Sequence, residues 1–124
     1  MPKILIVDDE ATIRLLLEQT LEDLEDEGVT LLTASDGAEG LETVRAEAPE
    51  LVFLDVMMPH INGFDVCRTI KHEWRMANVY VVLLTAKGQE YDRRQGEEAG
   101  ADRYLTKPFD PDGVEQLARE VLGL

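Results

Sequence analysis

LVFLDVMMPHING, residues 51–63, decides the fold. Four apolar residues, Leu51 to Leu54, run straight into a carboxylate, Asp55, and then into two methionines, a proline and a turn. An apolar run without polar alternation is the pattern of a strand covered on both faces, as in the interior of a parallel sheet. A charge at the end of such a run has to be answered by its neighbours, because an unpaired buried carboxylate is costly.

Outward from this strand the pattern turns helical on both sides. Asp36 can cap a helix, with Glu39 three residues on, that ends before Pro49. Asn62 can cap another, whose Val66, Cys67, Ile70 and Trp74 mark an inward face. Beyond these helices VTLLTA (29–34) and VYVVLL (79–84) are strand-like. Towards the amino terminus KILIV (3–7) is a short β-branched run. It is followed by ATIRLLLEQTLEDLEDEG, where Ile13, Leu16, Leu17, Leu21 and Leu24 recur at helical spacing up to a stop at Gly28. Towards the carboxyl terminus a helix over roughly 89–99 stops at Gly100, and RYLT (103–106) makes a brief fifth strand. Asp110 with Pro111 then opens a last helix that turns Val114, Leu117, Val121 and Leu122 inward.

Strand followed by helix, five times over, predicts an α/β fold: a doubly wound, five-stranded parallel sheet in the order 2-1-3-4-5, sandwiched between helices in three layers. The 124 residues read as a single domain, 1–124, and a chain of this length buries roughly two thirds of its unfolded surface. Twelve Lys and Arg stand against 26 Asp and Glu, a formal charge of −14, so the field repels nucleic-acid backbones and no direct nucleic-acid partner is expected. MPKILIVDDE lacks the architecture of a signal peptide, and no apolar run is long enough to span a bilayer, so the reading is cytoplasmic with no membrane partner. A single cysteine, Cys67, excludes an intramolecular disulfide framework and suits a small buried side chain.

In a parallel sheet all strands point the same way, so the residues that follow them gather along one edge. The first strand ends in Asp8, Asp9 and Glu10, the third in Asp55, the fourth in Thr85 and the fifth in Thr106, Lys107 and Pro108. With strands about 4.8 Å apart, the ends of the first, third and fourth fall within about 10 Å, at the switch point where open α/β sheets hold their sites. Carboxylates at about 4 Å repel by about 1 to 4 kcal/mol per pair, and one lysine leaves the cluster negative. That composition favours a hard divalent cation, with Asp9 and Asp55 as direct ligands, Asp8 acting through water and a loop carbonyl near Met57. A carboxylate, a metal, a hydroxyl and an ammonium are the parts of an acyl-phosphate site, with Asp55 the central nucleophile.

VDDE at 7–10, LDVMMPHINGFD at 54–65, LLTAKG at 83–88 and GADRYLTKPF at 100–109 closely resemble the receiver domain of two-component response regulators, the flavodoxin/CheY-like sandwich. The resemblance runs through essentially the whole chain. It implies that Asp55 accepts a phosphoryl group from a sensor histidine kinase or a histidine phosphotransfer protein. It also implies Mg²⁺ (or Mn²⁺) held by Asp8, Asp9, Asp55 and the Met57 carbonyl, with Thr85, Lys107 and the Ala86 backbone N–H on the phosphoryl oxygens. Thr85 and Tyr104 would form the switch, reshaping the face made by the fourth helix, fifth strand and fifth helix for a downstream protein or a fused output domain. Lys107-Pro108 resembles the family's cis peptide, and Met57 and Lys87 occupy the positions that modulate acyl-phosphate lifetime. The resemblance departs at Arg103, where the dimerising subgroup often has an acid, and at Gly113 and Leu117, where charged residues are common. A monomer or weak dimer is expected.

Two alternatives stand beside this reading. A haloacid-dehalogenase-like phosphohydrolase also uses Asp, Mg²⁺, Thr and Lys, but places its nucleophile on the first strand with a second acid two residues on, whereas Asp8 is followed by Asp9, Glu10 and Ala11. A non-phosphorylated pseudo-receiver would act as a binding module only, which the intact acid, threonine and lysine set argues against. The chain catalyses, on the receiver reading, only its own phosphorylation and dephosphorylation.

Overall fold

A computed structural model describes residues 2–86 and 90–124, so Lys87 lies outside the described residues. The apolar runs form five strands: β1 (Lys3–Val7), β2 (Thr30–Ala34), β3 (Leu51–Asp55), β4 (Tyr80–Ala86) and β5 (Arg103–Lys107). All pairings are parallel and the order is β2-β1-β3-β4-β5, as the alternation predicts. Every residue of β3 is buried, Asp55 included.

Side chains alternate across the sheet and feed two cores. On one face Leu5, Val7, Val52, Leu54, Val81 and Leu83 pack with Val44, Val66, Cys67, Ile70 and Ala99. On the other Ile4, Ile6, Leu51, Phe53, Val82 and Leu84 pack with Leu17, Leu21, Leu24, Val114, Leu117 and Ala118. Continuous apolar strands are thus accounted for by helices on both sides.

The helical segments follow the caps read from the sequence, with two local departures. α3 (Gly37–Glu47) begins at Asp36, whose side chain accepts from Glu39 N at 2.8 Å, and α4 (Gly63–Arg68) begins at Asn62, which accepts from Asp65 N at 2.9 Å. α5 (Glu90–Ala99) ends at Gly100, with φ of 90°, and α6 (Pro111–Leu122) opens with its proline in the first turn. The first helix, by contrast, is interrupted at Leu21 (φ −100°, ψ 4°), giving α1 (Ala11–Thr20) and a single turn, α2 (Glu22–Glu25). Leu17, Leu21 and Leu24 are fully buried, while Leu16, placed inward by its spacing, is 40 % exposed. Leu16 precedes the buried Leu17 by one step of about 100° around the helix, which carries it off the buried stripe. Beyond Arg68, α4 runs on as a π-helical turn over Thr69–Glu73, with Trp74 N bonded to Thr69 O at 2.8 Å.

Candidate functional site

The carboxyl ends of β1, β3, β4 and β5 meet as the topology requires, and Asp8, Asp55 and Lys107 are paired there. Asp8, fully buried, accepts from Lys107 Nζ through Oδ2 at 3.0 Å and from Glu10 N through Oδ1 at 2.9 Å. The same Lys107 Nζ donates to Asp55 Oδ1 at 3.1 Å, so one ammonium bridges the ends of the first and third strands. Met57 N, at 3.3 Å, also donates to Asp55 Oδ1. The Lys107-Pro108 peptide is cis.

Burial pushes the Asp55 carboxyl up from 3.8 to about 6, and the charge of Asp8 adds to the rise, while Lys107 and the Met57 N–H act against it. Burial alone would lower the Lys107 ammonium, but its hydrogen bonds and attraction to Asp8 and Asp55 outweigh that and hold it above its usual range. The carboxylate is therefore desolvated yet ionised near neutrality, which keeps it basic and available as a nucleophile.

Thr85 is buried beside this pair, its Oγ1 donating to Leu105 O at 3.5 Å, and Ala86 closes β4 opposite Lys107 in the β4–β5 register. Asp8, Asp9 and Glu10 bring one oxygen each to within 4.8 Å of one another, Asp9 and Glu10 being exposed. Hard carboxylate oxygens in this arrangement suit Mg²⁺, so the donor set fits the group. Glu10 belongs to this cluster, although the sequence marks it only as a strand-end acid, and Met57, 72 % exposed, meets Asp55 through its N–H.

The loop after β3 is held tightly. Gly63 N donates to Val56 O at 3.0 Å, and a Cβ on Gly63 would lie 2.3 Å from the Asp55 carbonyl oxygen. Only glycine allows α4 to start this close to the backbone that carries Asp55.

Residues 4–119 match the family model of the response regulator receiver domain. The chain belongs to this family. The receiver domain is a module of two-component signalling, which leaves the phosphohydrolase reading without support. A probable transcriptional regulator, ycf27, of Pyropia yezoensis is 47 % identical over 120 residues, covering 97 % of this chain and 47 % of that protein. The chain spans about half the length of the curated relatives it matches. Among solved structures, a putative response regulator from Chloroflexus aurantiacus superposes with a TM-score of 0.86 at 30 % identity over 100 % of both chains. The BeF3-activated DrrB receiver domain gives 0.86 at 34 % identity over 100 % of this chain and 99 % of that one.

Within this receiver, one contact goes beyond what residue spacing foretells. Arg14 Nη1 donates to the Asp8 carbonyl oxygen at 2.7 Å, tying α1 to the end of β1. Its signal was a lone base in the first turns of an otherwise apolar and acidic helix. Among the described residues no helix is long and apolar enough to cross a membrane.

Proposed function

We propose that residues 1–124 act as one receiver unit in which Asp55 takes a phosphoryl group from a phosphohistidine on a sensor kinase or phosphotransfer protein. The observation that carries this reading is the single Lys107 ammonium, 3.0 Å from Asp8 and 3.1 Å from Asp55, at the edge of a parallel sheet. Asp55 attacks phosphorus through a carboxylate oxygen and the P–N bond breaks. Its electron pair leaves on the donor's ring nitrogen, and a neutral imidazole departs because the other ring nitrogen keeps its proton. Lys107 and Thr85 then receive phosphoryl oxygens, with the Ala86 N–H as a further donor. Asp8, Asp9, Asp55 and the Met57 carbonyl would hold Mg²⁺ (or Mn²⁺), with Glu10 adjacent, and the ion neutralises charge on the phosphoryl oxygens when bound.

Movement of Thr85 towards the phosphoryl group and inward turning of Tyr104 reshape the face of α5, β5 and α6, the fourth helix, fifth strand and fifth helix in chain order when the split first helix is counted as one. The output is a downstream protein or a fused output domain, consistent with relatives named transcriptional regulators and about twice as long. With Leu117 buried in the core and Arg103 exposed on β5, that face lacks the charges of the dimerising subgroup, which favours a monomer or weak dimer. The charge of −14 disfavours direct nucleic-acid contact by this unit.

Acetyl phosphate with Mg²⁺ tests the acceptor: intact-mass spectrometry shows one added phosphoryl group on the wild type and none on Asp55→Asn. Full labelling of the Asn variant would sink the assignment.

A further inference from the structure

Gly96 sits in the interior of α5, where glycine is a poor helix former, and it is buried. The reason lies on the sheet face that α5 covers. A Cβ at Gly96 would stand 2.4 Å from Tyr104 Cε1 and 2.9 Å from Leu83 Cδ1, both too close for any real contact. Tyr104 faces Leu83 in the β4–β5 register, and the Tyr104 hydroxyl oxygen is buried, so the ring lies inward against the bare backbone of α5. Leu83 and Thr85 project from the same face of β4, as do Tyr104 and Thr106 from β5. The seat of the ring is thus joined through two strands to the edge that carries Thr85.

We propose that Gly96 is a positioning residue that admits the Tyr104 ring to its inward seat, and that its missing side chain sets the balance between ring-in and ring-out states of the α5-β5-α6 face. The inference rests on the reading of Tyr104 as the switch aromatic. An added methyl has to be relieved either by the helix or by the ring. The carboxyl end of α5 is anchored: Cys67 Sγ donates to Ala99 O at 3.5 Å, His72 Nε2 donates to Glu98 O at 3.0 Å, and Ala101 N donates to Gly96 O itself at 3.0 Å. The ring, turning about its side-chain torsions, is the part that yields. Gly96→Ala therefore holds Tyr104 out and penalises whichever state of Asp55 requires it in. By linkage, the same penalty weakens any ligand of Asp55 that favours the inward ring.

The experiment places Gly96→Ala in two backgrounds, Tyr104 and Tyr104→Ala, and titrates each protein with beryllofluoride and Mg²⁺ while following amide shifts. With Tyr104 present the alanine weakens beryllofluoride binding about fivefold or more. In the Tyr104→Ala background it leaves binding unchanged. The urea midpoint provides a readout that needs no ligand: Gly96→Ala lowers it clearly more when Tyr104 is present than when residue 104 is alanine, because only the contact with the mobile Leu83 side chain then remains and alanine is the better helix former. In the wild type, a nuclear Overhauser contact between the Tyr104 ring protons and the Gly96 α-protons reports the seat directly. Equal effects in both backgrounds, or no effect in either, overturn the proposal. Should the single variant fail to fold, recovery of the fold in the double variant supports the clash, and failure of both overturns it. Beryllofluoride binding that survives Asp55→Asn counts against the acceptor reading instead, and the midpoints and the Overhauser contact still decide the role of Gly96.

Discussion

Asp55 is buried at the end of the third strand and its titration is displaced upward, and the two facts have one cause. Its carboxyl loses water at the end of a strand covered on both faces, and Asp8 adds repulsion, so its pKa moves from 3.8 to about 6. Between those values the folded protein holds more protons than the unfolded chain, so its stability falls as pH rises through that window and stays lower above it. The ionisation costs up to about 3 kcal/mol at neutral pH. Asp55→Asn should therefore be more stable than the wild type above pH 6 by up to that amount, with the difference shrinking towards pH 4; urea denaturation across that range measures it. A difference independent of pH would contradict the assigned cause. The acids, Thr85 and Lys107 were legible because each follows an apolar run, and parallel strands bring such ends together. That Lys107 spans Asp8 and Asp55, that Glu10 joins Asp8 and Asp9, and that Arg14 holds a backbone carbonyl were not legible, since these depend on rotamers and not on spacing.

At the scale of elements, close backbone approach decides where glycine is required. At Gly63 an added Cβ meets the Asp55 carbonyl oxygen at 2.3 Å and the Val56 Cα at 2.9 Å, atoms that cannot turn aside. Gly63→Ala should destabilise by roughly 2 to 3 kcal/mol. Gly113, inside α6, has its nearest neighbour, Asp110 Oδ2, at 3.5 Å, so Gly113→Ala should stabilise by about 0.5 to 1 kcal/mol. Opposite signs in chemical denaturation check the pair; equal signs would mean that helix propensity or loop relaxation outweighs packing at one of them. Caps and stops were readable from Asp36, Asn62, Gly28 and Gly100 because their chemistry is local. The interruption at Leu21 and the π-helical turn after Arg68 were not, because both answer to the packing of a helix on the sheet rather than to the residues at the break. The same applies to Leu16, whose helical spacing suits burial but whose position relative to Leu17 and Leu21 leaves it outside.

For the whole molecule, the order β2-β1-β3-β4-β5 followed from alternation and from unbroken apolar strands, the two features least sensitive to local detail. The excess of acid is likewise a property of the entire surface, and with a formal charge of −14 the folded chain repels itself. Sodium chloride should raise the melting temperature by screening. Mg²⁺ at millimolar concentration should raise it further than sodium chloride of equal ionic strength, through binding linkage, and Asp9→Asn should remove most of that excess. An excess that survives the Asp9 substitution would place the ion elsewhere. The central claim is that the molecule carries one phosphoryl group on one carboxylate. Reduction of the phosphorylated protein with borohydride, followed by peptide mapping, tests it most directly, because an aspartyl phosphate is converted to homoserine at the modified position. Homoserine at residue 55 alone is the predicted result, and homoserine at Asp8 or Asp9, or none in a fully labelled protein, would contradict it.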